Sequence, residues 1–239
     1  MKYPIVLSLV VLLLLAGSFA VIDAPFAYGT NPLYPDLRVE TKHLSRYQIS
    51  NVGGQKILRF DTGVANVGDG PVELRGLKVG DQMVAKQRIY LSSGSTEESD
   101  VGIFTYDDGD GHGHWHYWNF VEYELTSVDD PGIVLASNKA SFCLLDVDRL
   151  SPRLSGSPLF AAYNQCNQGD ANAAAIGPQG VSRGWVDVYS RWVAGQQFDV
   201  TGLPKGNYLL TARANPDHLL IECDTCYGNN EGSVVIKIR

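Results

Sequence analysis

The chain has 239 residues, 19% charged and 44% hydrophobic, which is long enough for one domain with a substantial core and too apolar for a disordered tract. The formal net charge of −7 argues against a nucleic-acid partner and would welcome a cationic one, although such a charge also simply keeps a domain soluble.

The first element is an apolar run, Ile5 to Ala16, after Lys2 and before small residues. Ser18-Phe19-Ala20 fits a small-x-small cleavage site, and Pro25-Phe26-Ala27 is a second one. This is the three-part layout of a secretory signal. It predicts a signal peptide over 1–27, cut near residue 20 or 27, and a single mature domain over 28–239 in a secreted or extracytoplasmic setting. The run falls short of the ~20 residues that cross a bilayer. Only an uncleaved version extending to Ile22 would bring the chain to a membrane. The sequence contains no Asn-x-Ser/Thr acceptor site.

After a Pro/Gly/Asn-containing lead-in come short alternating segments. Examples are Leu37–Val39, Lys56–Asp61, Val72–Leu74, Gln87–Leu91, Trp118–Leu125, Gly132–Ala136, Trp185–Val188, Tyr208–Ala212 and Ser233–Ile238. Val, Ile, Tyr, Phe and Thr fill them, and Gly, Asp, Asn and Pro separate them. No long amphipathic helix is evident. The pattern predicts an all-β fold, an antiparallel β-sandwich-like single domain with long loops. Ala171–Gly180 is small and polar and reads as one of those loops.

Within this pattern, Gly111-His112-Gly113-His114-Trp115-His116 gathers three of the five histidines. Residues i, i+2 and i+4 of a strand share a face, so the imidazoles point together and Trp115 and Tyr117 point away. The outer two would be ~13 Å apart on a flat strand, too far for bonds of ~2 Å to one ion. Gly111 and Gly113 permit the bend that closes this gap. The expectation is therefore an irregular lead-in carrying His112 and His114, with His116 near a strand start. Three imidazoles suit Cu(II) or Zn(II), and the affinity order favours copper. The bland alternative is a surface histidine run without a metal. Asp107, Asp108 and Asp110, interleaved with glycine, read as a turn. His43 and His218 stand alone and read as packing or surface residues.

Four cysteines in an exported chain suggest two disulfides. Of the three pairings, Cys143–Cys166 with Cys223–Cys226 closes two short loops and is the least tangled. The rival is a metal-binding Cys-x-x-Cys, which is weak without a second such pair.

Three blocks then resemble the catalytic domain of the lysyl oxidase family. His112-Gly-His114-Trp-His116 with Phe120-Val-Glu-Tyr123-Glu-Leu125 is similar to its copper motif and the strand after it. Lys139-Ala-Ser-Phe-Cys143-Leu, ending in Asp146, is similar to the segment holding the cofactor lysine. Glu222-Cys-Asp224-Thr-Cys-Tyr227-Gly-Asn229-Asn230 is similar to the segment holding the cofactor tyrosine. Gly202-Leu-Pro204-Lys-Gly206-Asn-Tyr208 and Ala214-Asn215-Pro216 match in order between them, and the resemblance covers roughly residues 56 to 238.

The resemblance implies copper on His112, His114 and His116 and a lysine tyrosylquinone made from Lys139 and Tyr227. It implies oxidative deamination of primary amines, peptidyl lysine among them, to aldehydes, consuming dioxygen and releasing hydrogen peroxide and ammonia. Asp146, Glu222 and Asp224 are candidate proton-abstracting bases. The chain departs from the animal members in three ways. An acidic position after the third histidine looks replaced around Asn119, the cysteines are fewer, and two residues precede Tyr227 as an insertion. The alternatives are an exported copper-binding protein without the quinone, and a surface interaction module in which the histidines are incidental.

Overall fold

The computed structural model describes residues 30–107, 113–130, 134–150, 152–167 and 169–239. The expected signal segment and His112 lie outside the described residues. The first half supplies β1 (Pro32–Leu33), β2 (Leu37–Val39), β3 (Tyr47–Val52), β4 (Gln55–Phe60), β5 (Thr62–Asn66), β6 (Val72–Val79), β7 (Gln82–Leu91) and β8 (Thr96–Asp107). The second half supplies β9 (His114–Ser127), β10 (Val134–Phe142), β11 (Asp148–Arg149), β12 (Ala175–Val181), β13 (Trp185–Tyr189), β14 (Gln197–Asp199), β15 (Gly206–Ala214) and β16 (Glu231–Ile238). Among the described residues, helix is limited to α1 (Thr41–Leu44) and a 3-10 turn, Cys226–Asn229.

Every strand pairing is antiparallel. The largest sheet runs β12-β6-β7-β8-β9-β15-β16, with β1 beside β7 and β10 beside β9. A second sheet runs β11-β13-β5-β2 and a third β14-β4-β3. One apolar cluster draws on all three: Leu74, Leu125 and Leu210 from the first, Leu37 and Val64 from the second, and Leu58, Phe60 and Phe198 from the third. Phe60 meets Tyr123 edge-on at 4.9 Å and Phe198 at 5.6 Å, which ties the third sheet to the first. Each fully buried side chain of this kind is worth about 1.5–3 kcal/mol. The fold is the expected all-β, sandwich-like arrangement of antiparallel sheets.

Two segments differ from the sequence reading. Ala171–Gly180 is not a continuous loop, because Ala175–Val181 forms β12 on the edge of β6. Small residues suit this edge: a Cβ on Gly180 would stand 2.1 Å from the Val72 carbonyl oxygen, and one on Gly76 would strike Ile176. The close approach of two backbones, rather than a pattern of large apolar residues, makes this strand. β8 begins with Thr-Glu-Glu-Ser-Asp and shows no alternation there. Its outer half is held by cross-strand charge pairs instead, Arg88 with Glu98 at 2.6 Å and Lys86 with Asp100 at 2.5 Å.

Both expected disulfides are present, Cys143–Cys166 and Cys223–Cys226. His43 is buried, its ring against Gly63. Burial, with Lys42 and Arg46 nearby, holds its pKa below the usual histidine value.

Candidate active site

The histidine strand opens at His114 and not near His116, so the irregular lead-in ends one histidine earlier than expected. Gly113 makes the bend with φ +57°, a left-handed conformation that costs glycine nothing. Three bonds fasten this entry: Tyr106 Oη–H and the Gly169 amide both donate to the Gly113 carbonyl, at 2.8 and 3.0 Å, and Trp115 Nε1–H donates to the Asp170 carbonyl at 3.0 Å. The Cys143–Cys166 bond ties the same loop to the end of β10.

Register with β8 pairs His114 with Asp107, Trp115 with Tyr106, His116 with Thr105 and Tyr117 with Phe104. Alternation then divides the side chains. Trp115 stacks edge-on with Tyr106 at 5.4 Å, and Tyr117 with Phe104 at 5.9 Å, both in the core. His114 and His116 turn to the other side, both buried, with Nε2 atoms 2.7 Å apart and rings near perpendicular at 78°. Two facing imidazole nitrogens at this distance share either one proton or one cation. Donors ~2 Å from a common small ion stand about 3 Å apart, so the pair fits a metal once that proton is gone. Asp107 Oδ2 lies 3.5 Å from His116 Nδ1, on the far side of the ring, where a carboxylate orients a ligating histidine. Among the described residues no group of three potential ligands is gathered, and the third expected ligand, His112, lies outside them.

Lys139 sits on β10 opposite Glu122 of β9, one turn of the pleat before a bulge between Ala140 and Phe142. A cleft of about 390 Å³ joins the two features, with Asp107, His116 and Trp118 at one part of its wall and Asn138, Lys139 and Tyr189 at another. Lys139 Nζ donates to Asp217 Oδ1 at 2.7 Å. That bond holds the lysine above its usual pKa and, reciprocally, the carboxyl of Asp217 below its own. Arg213 occupies Glu122 at 2.6 Å.

Tyr227 is carried on the 3-10 turn directly after Cys226 and does not line the cleft among the described residues. Its hydroxyl donates to the Leu220 carbonyl and accepts the Glu222 amide, both at 3.2 Å. Its ring stacks on His218 at 4.7 Å and 27°. Lys139 and Tyr227 are therefore held by successive residues of one turn, Asp217 and His218, without a bond between them.

Two of the three carboxylates named as candidate bases are engaged in hydrogen bonds. Asp146 accepts the amides of Ala162, Tyr163 and Ser182 and the Ser182 hydroxyl. Glu222 is buried and accepts the Leu37 amide and the carboxamides of Asn215 and Asn230. Burial raises its pKa against those bonds. Asp224 is exposed. The carboxylate that meets Lys139 is Asp217, which sequence reasoning passed over. Its only sequence signal is the Asn-Pro-Asp turn, and nothing local connects that turn to a lysine 78 residues away. Asn119, at the position where an acidic residue looked replaced, has φ +53° and donates its backbone amide to Ser141 Oγ at 3.2 Å.

A family model described as lysyl oxidase matches residues 104–238, more than half of the chain. Protein-lysine 6-oxidase of Sus scrofa is 31% identical over 113 residues, covering 46% of this chain and 38% of that protein. For protein-lysine 6-oxidase of Homo sapiens the identity is again 31% over 113 residues, covering 46% and 22%. Lysyl oxidase homolog 2 of Gallus gallus is 30% identical over 123 residues, covering 50% and 13%. The match thus spans well under half the length of each of these relatives.

Proposed function

This chain belongs to the lysyl oxidase family, and on that premise we propose that it is an exported copper amine oxidase. It takes a primary amine, dioxygen and water and releases an aldehyde, ammonia and hydrogen peroxide. The names of its relatives point to peptidyl lysine as a substrate. The two disulfides suit the oxidising compartment that such a substrate implies.

The observation that carries this reading is the cleft that runs between His116 and Lys139. His112, His114 and His116 would hold the copper. Copper, and the lysine tyrosylquinone made from Lys139 and Tyr227, would supply an electrophilic carbonyl and an electron sink that no unmodified side chain offers. The protein's own residues do the rest. Asp107 orients the His116 ring from its far nitrogen. Trp118 and Tyr189 form part of the cleft wall. The carboxylate of Asp107 on the cleft wall favours the approach of a cationic amine over an anionic one.

A second reading, an exported copper-binding protein that builds no quinone, is favoured by one observation: Tyr227 lies outside the cleft that contains Lys139. Peroxide release separates the two. The copper-loaded mature chain is given n-butylamine or a lysine-containing peptide in air, beside Lys139→Arg and Tyr227→Phe. Peroxide from the wild type alone supports the oxidase. Copper bound in full with no peroxide from any of the three turns the assignment to the binding protein.

A further inference from the structure

Lys139 is anchored by a residue that neither the histidine motif nor the cysteine pattern accounts for. Asp217 stands on the turn Asn215–Leu220, which is fastened on every side. The Asn215 amide donates to the Phe120 carbonyl at 2.8 Å, next to the kink at Asn119 where β9 exchanges its β8 neighbour for β15. The Asn215 carboxamide donates to the Leu220 carbonyl and to Glu222, both at 2.9 Å, and accepts the Leu220 amide at 3.0 Å. The His218 amide closes the turn on the Asn215 carbonyl at 3.0 Å. This fixed turn grips Lys139 through Asp217 and the ring of Tyr227 through His218.

We infer that Asp217 is the positioning residue for Lys139: it holds the ε-ammonium at the turn that also carries the ring partner of Tyr227, where the amine acts as a nucleophile once it has given up its proton to water. The inference rests on the proposed function in giving Lys139 that task. One Nζ–H bond breaks, its proton passes to water, and the lone pair left on nitrogen is the nucleophile.

The surrounding charges favour this partner. Glu122, opposite Lys139 on β9, is occupied by Arg213, which also bonds Glu231 at 2.7 Å. On β10 itself the neighbours Asn138 and Ser141 are uncharged, and so is the Val193–Gly195 segment across the cleft. Asp217 has Asn119 and His218 nearby, both of which favour its charged form. The bond raises Lys139 and lowers Asp217, so the resting pair is ionic and the lysine unreactive at neutral pH.

The test uses the full mature chain without copper, pulsed with an acetylating reagent from neutral to alkaline pH. Peptide mass spectrometry reads Lys139 against the exposed Lys205. Asp217→Asn is expected to acetylate Lys139 roughly two- to fivefold faster at neutral pH, the range that an exposed ion pair allows, with the profile moved to lower pH. Asp217→Glu is expected to restore the slow profile, and Lys205 to stay unchanged in all. In a separate sample that has not been acetylated, copper and air are added, and the Lys139–Tyr227 cross-link is read by the same peptide mapping. It is expected to form more slowly in Asp217→Asn and at the wild-type rate in Asp217→Glu. An unchanged Lys139 profile in Asp217→Asn, or a cross-link forming equally fast without the carboxylate, would overturn the inference. A shifted profile with no cross-link in the wild type would sink the oxidase reading while leaving the hold of Asp217 on Lys139 standing.

Discussion

The two ends of the cleft are built by different means. At the histidine end both residues are buried, and strand register sets their spacing. At the lysine end the side chains of Lys139 and Asp217 are 36% and 39% exposed, and a hydrogen-bonded turn sets their meeting. The difference suits the two tasks. A metal needs its donors set before it arrives, because any reorganisation is subtracted from affinity. A lysine that must join another residue has to be held and later released, which a surface ion pair worth no more than about 1 kcal/mol permits.

That contrast can be broken at either end. The largest expected effect is His116→Ala, which removes a donor from the rigid end. Copper affinity should fall by more than about 100-fold, beyond what loss of an outer partner costs, and titration calorimetry would read it. Glu222→Ala acts at the support of the turn, away from the histidines. It leaves three buried donors unsatisfied and should destabilise the chain by about 3 kcal/mol or more in urea unfolding, with copper binding by the folded protein unchanged. A parallel loss of copper affinity there would mean that the two ends are one unit. Asp107→Asn should weaken copper by about tenfold, the low end for a carboxylate behind a histidine, because the contact is long at 3.5 Å. Tyr227→Phe should cost about 0.5–1.5 kcal/mol of stability for the lost hydroxyl bonds while leaving copper binding untouched.

A pH dependence sharpens the contrast further. Asp187 is fully enclosed beside the Leu144–Asp146 segment that continues from β10, and the amides of Leu145 and Val188 fall short of hydrogen-bond geometry to it. Burial raises its pKa well above the usual carboxylate value. A carboxyl raised in the folded state favours folding below its unfolded pKa. Its contribution is lost as pH climbs from there towards the folded value, because the unfolded chain ionises first. His43 has the opposite sign: its folded pKa is lowered, so its contribution is lost as pH falls below the ordinary histidine value. Asp187→Asn should therefore raise stability at neutral pH and flatten its decline from acid to neutral, as read by urea unfolding across pH.

Sequence alone carried the histidine face, the cysteine pairs and most strand centres, because alternation and short-range spacing are local. It missed β8 because its outer half is held by Arg88 and Lys86 on the neighbouring strand, and charges there look like a loop. It missed β12 because its fit depends on the absence of side chains at Gly76 and Gly180. It passed over Asp217 and named Asp146, Glu222 and Asp224 as candidates. A carboxylate's role depends on which donors the fold turns towards it, and backbone amides claim both Asp146 and Glu222.

The most direct test of the account is the visible spectrum of the mature chain after aerobic copper loading, before and after phenylhydrazine. The account predicts a strong hydrazone band in the wild type that is absent from Lys139→Arg and Tyr227→Phe. Stoichiometric copper with no carbonyl-reactive band, or the same band in all three proteins, would contradict it.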